Sequence, residues 1–128
     1  MFNKLTHVTI FVSDQDKALE FYTKKLGFSV HTDAMFDDDL RWLTINPPGQ
    51  EDLELSLMLT TSPEEQALVG KQGGNKPLLA FSCDDCEKLH QELKKAEVFI
   101  VSAPESQPWG KSMCIADLYG NMLYVVQS

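Results

Sequence analysis

The amino-acid sequence predicts an α+β fold in which one βαβββ module is used twice, and three observations carry that prediction. Displaced by 71 positions, HVTIFVSDQDKALEFYTKK (7–25) lies over LLAFSCDDCEKLHQELKKA (78–96), with Asp14 on Asp85, Lys17 on Lys88 and Lys24 on Lys95. Both copies pass from an apolar stretch through an acidic turn into a segment with apolar residues at helical spacing: Ala18, Tyr22 and Leu26 in the first, Leu89, Leu93 and Ala96 in the second. The register then continues, since RWLTINPPG (41–49) falls on SMCIADLYG (112–120) and, after one residue of insertion, DLELSLM (52–58) falls on MLYVVQS (122–128). A displacement that holds through three elements marks a duplicated unit.

The elements follow in order. Alternation in the first strand puts His7, Thr9 and Phe11 on one face and Val8, Ile10 and Val12 on the other, against the helix. Ser13 with Asp16, and Asp84 with Glu87, are spaced three apart as helix capping boxes are. His31 follows the strand text GFSV at its polar end and is given no functional weight; His90 is placed on the wet face of the second helix. DDDLR (37–41) reads as a solvated hairpin connection and NPPGQEDL (46–53) as a turn stiffened by two prolines. In LELSLML (53–59), Leu53, Leu55, Leu57 and Leu59 share one face, and Glu54, Ser56 and Met58 the other. The chain is expected to be a single domain, 1–128: module one over about 1–60, a polar linker over about 61–76 with a short helix near Pro63 to Val69, and module two over about 77–128.

Composition bounds the partners. With 43% apolar and 23% charged residues in 128, the chain can bury one core. Eleven basic against nineteen acidic residues give a net charge of −8, which disfavours phosphate backbones and anionic lipid. No nucleic-acid or membrane partner is expected. No apolar run reaches the roughly 20 residues that span a bilayer, no signal peptide is read at the start, and a cytoplasmic location is expected.

Three cysteines are too few, and odd in number, for a disulfide scaffold. Cys83 and Cys86 nevertheless stand as a C-x-x-C at a strand-to-helix junction, the placement of thiol–disulfide oxidoreductases. The repeat favours a structural reading: Cys83 replaces Val12 and Cys86 replaces Gln15 at a junction that exists in both copies. A thiol redox protein using this pair is the alternative from a different class. Cys114, in the strand MCIA, is assigned to the core.

The opening THVTIFVSDQDKALEFYTKKLGF and the closing IADLYGNMLYVVQ resemble the vicinal oxygen chelate superfamily, the glyoxalase, bleomycin resistance and dihydroxybiphenyl (extradiol) dioxygenase type, and the resemblance covers essentially the whole chain. It implies curled mixed sheets around a central cleft, and a homodimer. The superfamily's enzymes hold a divalent metal through one residue near the start of the first strand and one on the last strand of each module. Carried over position by position, module one offers His7 and Glu54, whereas module two offers Leu78, which has no donor, and Tyr124, a poor ligand at neutral pH.

The reading that follows is a protein that binds a small organic molecule in a cleft lacking a complete metal site, with no cofactor. His7, Phe11, Trp42, Glu54, Trp109, Met113 and Tyr124 are the expected ligand-binding residues, with Phe36 a further aromatic candidate. In the alternative, His7 and Glu54 hold a divalent metal ion for a lyase, an isomerase or a ring-cleaving dioxygenase. If there is a catalytic pair it is His7 and Glu54, acting as acid and base.

Overall fold

The alternation read in the two halves becomes two four-stranded mixed sheets with three helices, in a computed structural model that describes residues 1–128. Two compact units divide the chain, Met1–Val69 and Gly70–Ser128.

In the first unit the strands are β1 (His7–Val12), β2 (Ser29–Phe36), β3 (Leu40–Asn46) and β4 (Glu54–Leu59), arranged β1-β4-β3-β2. β1 pairs parallel with β4, His7 beside Glu54, and the other pairings are antiparallel. Ile10, Val12, Leu43, Ile45, Leu55 and Leu57 are fully buried or nearly so, on the face that carries the alternate apolar positions. Each such side chain contributes roughly 1.5–3 kcal/mol of burial. Helix α1 (Gln15–Glu20) continues into a π-helical turn, Phe21–Lys25. Gln15 sends its amide into the sheet, donating to the carbonyls of Arg41 and Leu57 at 3.1 and 2.9 Å. Arg41 bridges Asp16 on α1 and Asp33 on β2. Its guanidinium holds the Asp33 carboxyl below the usual carboxylate range. A short helix, α2 (Pro63–Leu68), is capped by Ser62.

The second unit repeats the arrangement as β5 (Leu79–Cys83), α3 (Cys86–Lys95), β6 (Phe99–Gln107), β7 (Gly110–Ala116) and β8 (Met122–Gln127), in the order β5-β8-β7-β6. Matching hydrogen bonds fix the equivalences. Asp14 accepts from the Lys17 amide and Asp85 from the Lys88 amide. The carbonyl of Val12 takes the Thr60 amide and that of Cys83 the Ser128 amide.

These equivalences correct two expectations. The caps are Asp14 and Asp85, one residue beyond Ser13 and Asp84, and Lys17 and Lys88 stand where a capping box needs Glu or Gln. The displacement also shrinks along the chain. The π-helical turn of the first unit holds one extra residue, and the turn from Asn46 to Glu54 is two residues longer than that from Ala116 to Met122. The residue beside Leu78 is therefore Met122, whose carbonyl accepts the Leu78 amide. Tyr124 pairs with Ala80 and Cys114, the station that Ser56 holds opposite Thr44 in the first unit.

Candidate functional site

Glu54 opens β4 and points away from the buried leucines beside it, onto the sheet face that also carries Thr44, Asn46 and Ser56. Its carboxylate gathers three donors. Thr44 Oγ1 donates to Oε1 at 2.7 Å, His31 Nδ1 lies 3.0 Å from the same oxygen, and His7 Nε2 lies 3.1 Å from Oε2. The Glu54 side chain is 16% exposed, and the two imidazoles are 40% and 41% exposed. A carboxylate bonded this way between two rings is ordered, while the rings stay open to solvent on one side.

His7 reaches Glu54 because β1 and β4 pair in register. Its other nitrogen, Nδ1, is 2.9 Å from Thr6 Oγ1, and its ring lies 6.0 Å from that of Trp42 at a tilt of 51°. His31 arrives by a different route. The β2–β3 ladder slips between Val30 and Thr32, so His31 is the extra residue of a β-bulge. Alternation from Val30, which pairs with the core residue Ile45, puts His31 on the opposite face with Glu54, and the bulge lets Thr32 follow it there, opposite Thr44. His31, given no weight in the sequence, thus stands against the Glu54 carboxylate.

At this end of the sheet an open groove of about 800 Å³ is lined by residues that include Ser29, His31, Asn46, Pro47, Glu51 and Asp52. Farther along the same face, Ser56 is 1% exposed and its hydroxyl has no hydrogen-bond partner. Phe11 shares this face by its pairing with Met58, about 13 Å along β1 from His7 by strand rise.

The other expected residues belong to the second unit. Trp109 sits in the β6–β7 turn, 62% exposed, and donates its indole N–H to the Tyr124 hydroxyl at 2.9 Å. Ser112 Oγ lies 2.6 Å from the same hydroxyl. Met113 is corrected: it pairs with Val125, is 1% exposed, and shares a face with Ile115 and Leu123, opposite to that of Tyr124. It is a core residue. Cys114, also buried, lies on the Tyr124 face.

The cysteine pair takes the structural role that the repeat suggests. Cys86 Sγ bonds the carbonyl of Lys111 at 3.5 Å, as the Gln15 amide bonds that of Arg41 in the first unit. Cys83 and Cys86 hold their sulfurs 3.4 Å apart as free thiols. Burial, then the hydrogen bond with Cys86, pushes the Cys83 thiol up to about 11, the reverse of what a nucleophilic thiol needs. No group of three or more His, Cys, Asp or Glu side chains has the arrangement of a metal cage.

Comparison with known proteins agrees with this architecture. The profile described as Glyoxalase/Bleomycin resistance protein/Dioxygenase superfamily matches residues 4–125. The uncharacterized protein YurT of Bacillus subtilis is 34% identical, over 97% of this chain and 98% of its own. The crystal structure of UcmS2 superposes with a TM-score of 0.87 at 32% identity, covering all of both chains. That of TnmS3, an antibiotic binding protein from Streptomyces sp. CB03234, superposes with a TM-score of 0.77 at 27% identity, over 98% of this chain and 96% of the other.

Proposed function

The chain belongs to the Glyoxalase/Bleomycin resistance protein/Dioxygenase superfamily, and from that premise we propose that it binds a small organic molecule on the Glu54 face of the first unit, without a four-ligand metal site. One observation carries the reading: the Glu54 carboxylate is already bonded by Thr44, His31 and His7. The donor chemistry of the second unit supports it. Leu78 has no donor atom, Met122 beside it offers only a thioether, and the Tyr124 phenol is engaged with Trp109 and Ser112. These residues do not fit a site for a divalent cation that prefers imidazole and carboxylate.

The face suits an organic ligand with both flat and polar parts. His7 and Trp42 offer ring surfaces, and Asn46 and His31 line its open end. An antibiotic binding protein among the structural relatives supports the same class of ligand. The test is tryptophan fluorescence in Trp109→Phe protein, where Trp42 is the remaining reporter, titrated with a panel of aromatic antibiotics. Saturable quenching by at least one compound, weakened in Trp42→Phe-independent readouts such as calorimetry when His7 is changed to Ala, is the expected result. A panel that binds nowhere, or binds equally well to His7→Ala and Glu54→Ala proteins, contradicts it.

A homodimer is part of the proposal. Val30, Met35 and Phe36 on edge strand β2, and Phe99 and Val101 on edge strand β6, are each more than 40% exposed, an apolar surface that a second copy would cover. Light scattering on a size-exclusion column should give twice the 14.4 kDa chain mass; a monomer at micromolar concentration contradicts it.

A further inference from the structure

We propose that His31 is a general base, oriented by Glu54, that takes a proton from a hydroxyl or an activated C–H of a ligand seated in the groove beside it. The proposal rests on the binding site just described and adds an activity to it.

The two imidazoles on Glu54 are not equivalent. His7 has both nitrogens committed: Nε2 faces the carboxylate and Nδ1 faces the Thr6 hydroxyl. In the neutral ring, Nε2 carries the proton and Nδ1 accepts from Thr6. His31 meets the carboxylate through Nδ1 instead. Two acceptors 3.0 Å apart need a proton between them, so Nδ1 carries it. Thr32 Oγ1, 2.9 Å from the same nitrogen, shares that N–H and turns its own proton elsewhere. The neutral ring then has its lone pair on Nε2, and His31 lines the groove.

A carboxylate on one nitrogen and a reactive lone pair on the other is the arrangement that holds an imidazole in a productive tautomer and stabilises the imidazolium once it forms. Thr44 fixes the carboxylate in turn. His31 faces Glu54 because its neighbour Val30 pairs with the core residue Ile45, which leaves the opposite side of β2 to the imidazole. Glu51 and Asp52 also line the groove, which favours neutral or cationic ligands over anionic ones.

The chemistry closes without a co-reactant. A ligand C–H or O–H bond breaks, its proton moves to His31 Nε2, and the electron pair stays on the ligand. Return of the proton to the same or an adjacent atom completes an exchange or an isomerisation, and no oxidant or reductant is consumed.

Nitrobenzisoxazole tests this directly. The base removes its ring C–H proton, the C–H electrons form a nitrile, and the N–O bond breaks to release a coloured phenolate. The expected result is saturable turnover about 100-fold faster per site than free imidazole at the same pH, within the usual reach of a positioned base. His31→Gln should lower kcat at least about tenfold, Glu54→Gln should lower kcat more than it changes KM, and His90→Gln should change neither. Nitrogen NMR of the imidazoles should find His31 with its proton on Nδ1 and His7 with its proton on Nε2.

A His31 proton on Nε2, turnover no faster than free imidazole, or turnover unaffected in His31→Gln overturns the proposal. Probe that quenches Trp42 yet does not turn over removes the base and leaves the binding site standing. Loss of quenching as well removes both.

Discussion

Ser56 is buried on the same face as Glu54 and Thr44, and its hydroxyl makes no hydrogen bond in the chain. A buried hydroxyl without a partner costs on the order of 1–3 kcal/mol of desolvation. Ser56→Ala should therefore leave stability unchanged or raise it by up to about 1 kcal/mol in urea denaturation, and should weaken ligand binding if the hydroxyl turns to the bound molecule. A loss of more than about 1 kcal/mol would mean that Ser56 has a structural partner. Neighbouring Thr44 differs, because it donates to Glu54. Its hydroxyl fixes the oxygen that also receives His31. The same scale explains what the sequence hides. His7 and Glu54 are legible by alternation and by the repeat, since both strands are regular where they pair. His31 follows the same alternation, one residue after Val30, but the strand text GFSV stops short of it, whereas β2 runs on to Phe36 and carries the ring to Glu54.

At the scale of elements, the junction of β5 with α3 has a measurable consequence. Partial burial, then the hydrogen bond with Cys86, pushes the Cys83 thiol up to about 11 in the folded chain, against an ordinary value of 9.0. The unfolded thiol releases its proton first as the pH rises. The contribution of the folded pair is whole below pH 9.0 and is lost as the pH climbs through about 11. Urea denaturation between these values should show a steeper loss of stability in the natural protein than in Cys83→Ala. Equal slopes would contradict the assignment. Alkylation near neutral pH should likewise be slow until the chain unfolds. The elements themselves were legible from hydrophobic period and from the acidic turns, but their register was not. A π-helical turn in the first unit and a turn two residues longer before β4 shift the second copy, so that Tyr124 stands with Ser56 and not with Glu54. The longer turn leaves the alternation along β4 intact, because its shift is even. The single π-turn residue instead moves β7 by one against β3, so that Met113 answers to Leu43 and not to Trp42. The pattern of burial survived and the identity of the partner changed. Met113 was misread for a related reason: in a strand buried on both faces, residue type does not reveal which way a side chain points.

For the whole molecule, the family fixes the architecture and leaves the chemistry to particular residues. The two units share strand order, caps and a bulge in the second strand, at Val30–Thr32 and at Ile100–Ser102. They differ in what stands on the face that carries Glu54 in the first. There a carboxylate joins two imidazoles, while in the second a phenol joins an indole and a serine. No helix is long and apolar enough to cross a membrane. The proposal that a ligand binds here without a metal can be put to one measurement: the Trp42 fluorescence titration of Trp109→Phe protein with its best antibiotic ligand, before and after exhaustive dialysis against EDTA. The account predicts the same dissociation constant in both, within about a factor of two. A loss of affinity of about tenfold or more, restored by adding one equivalent of a divalent ion, would contradict it.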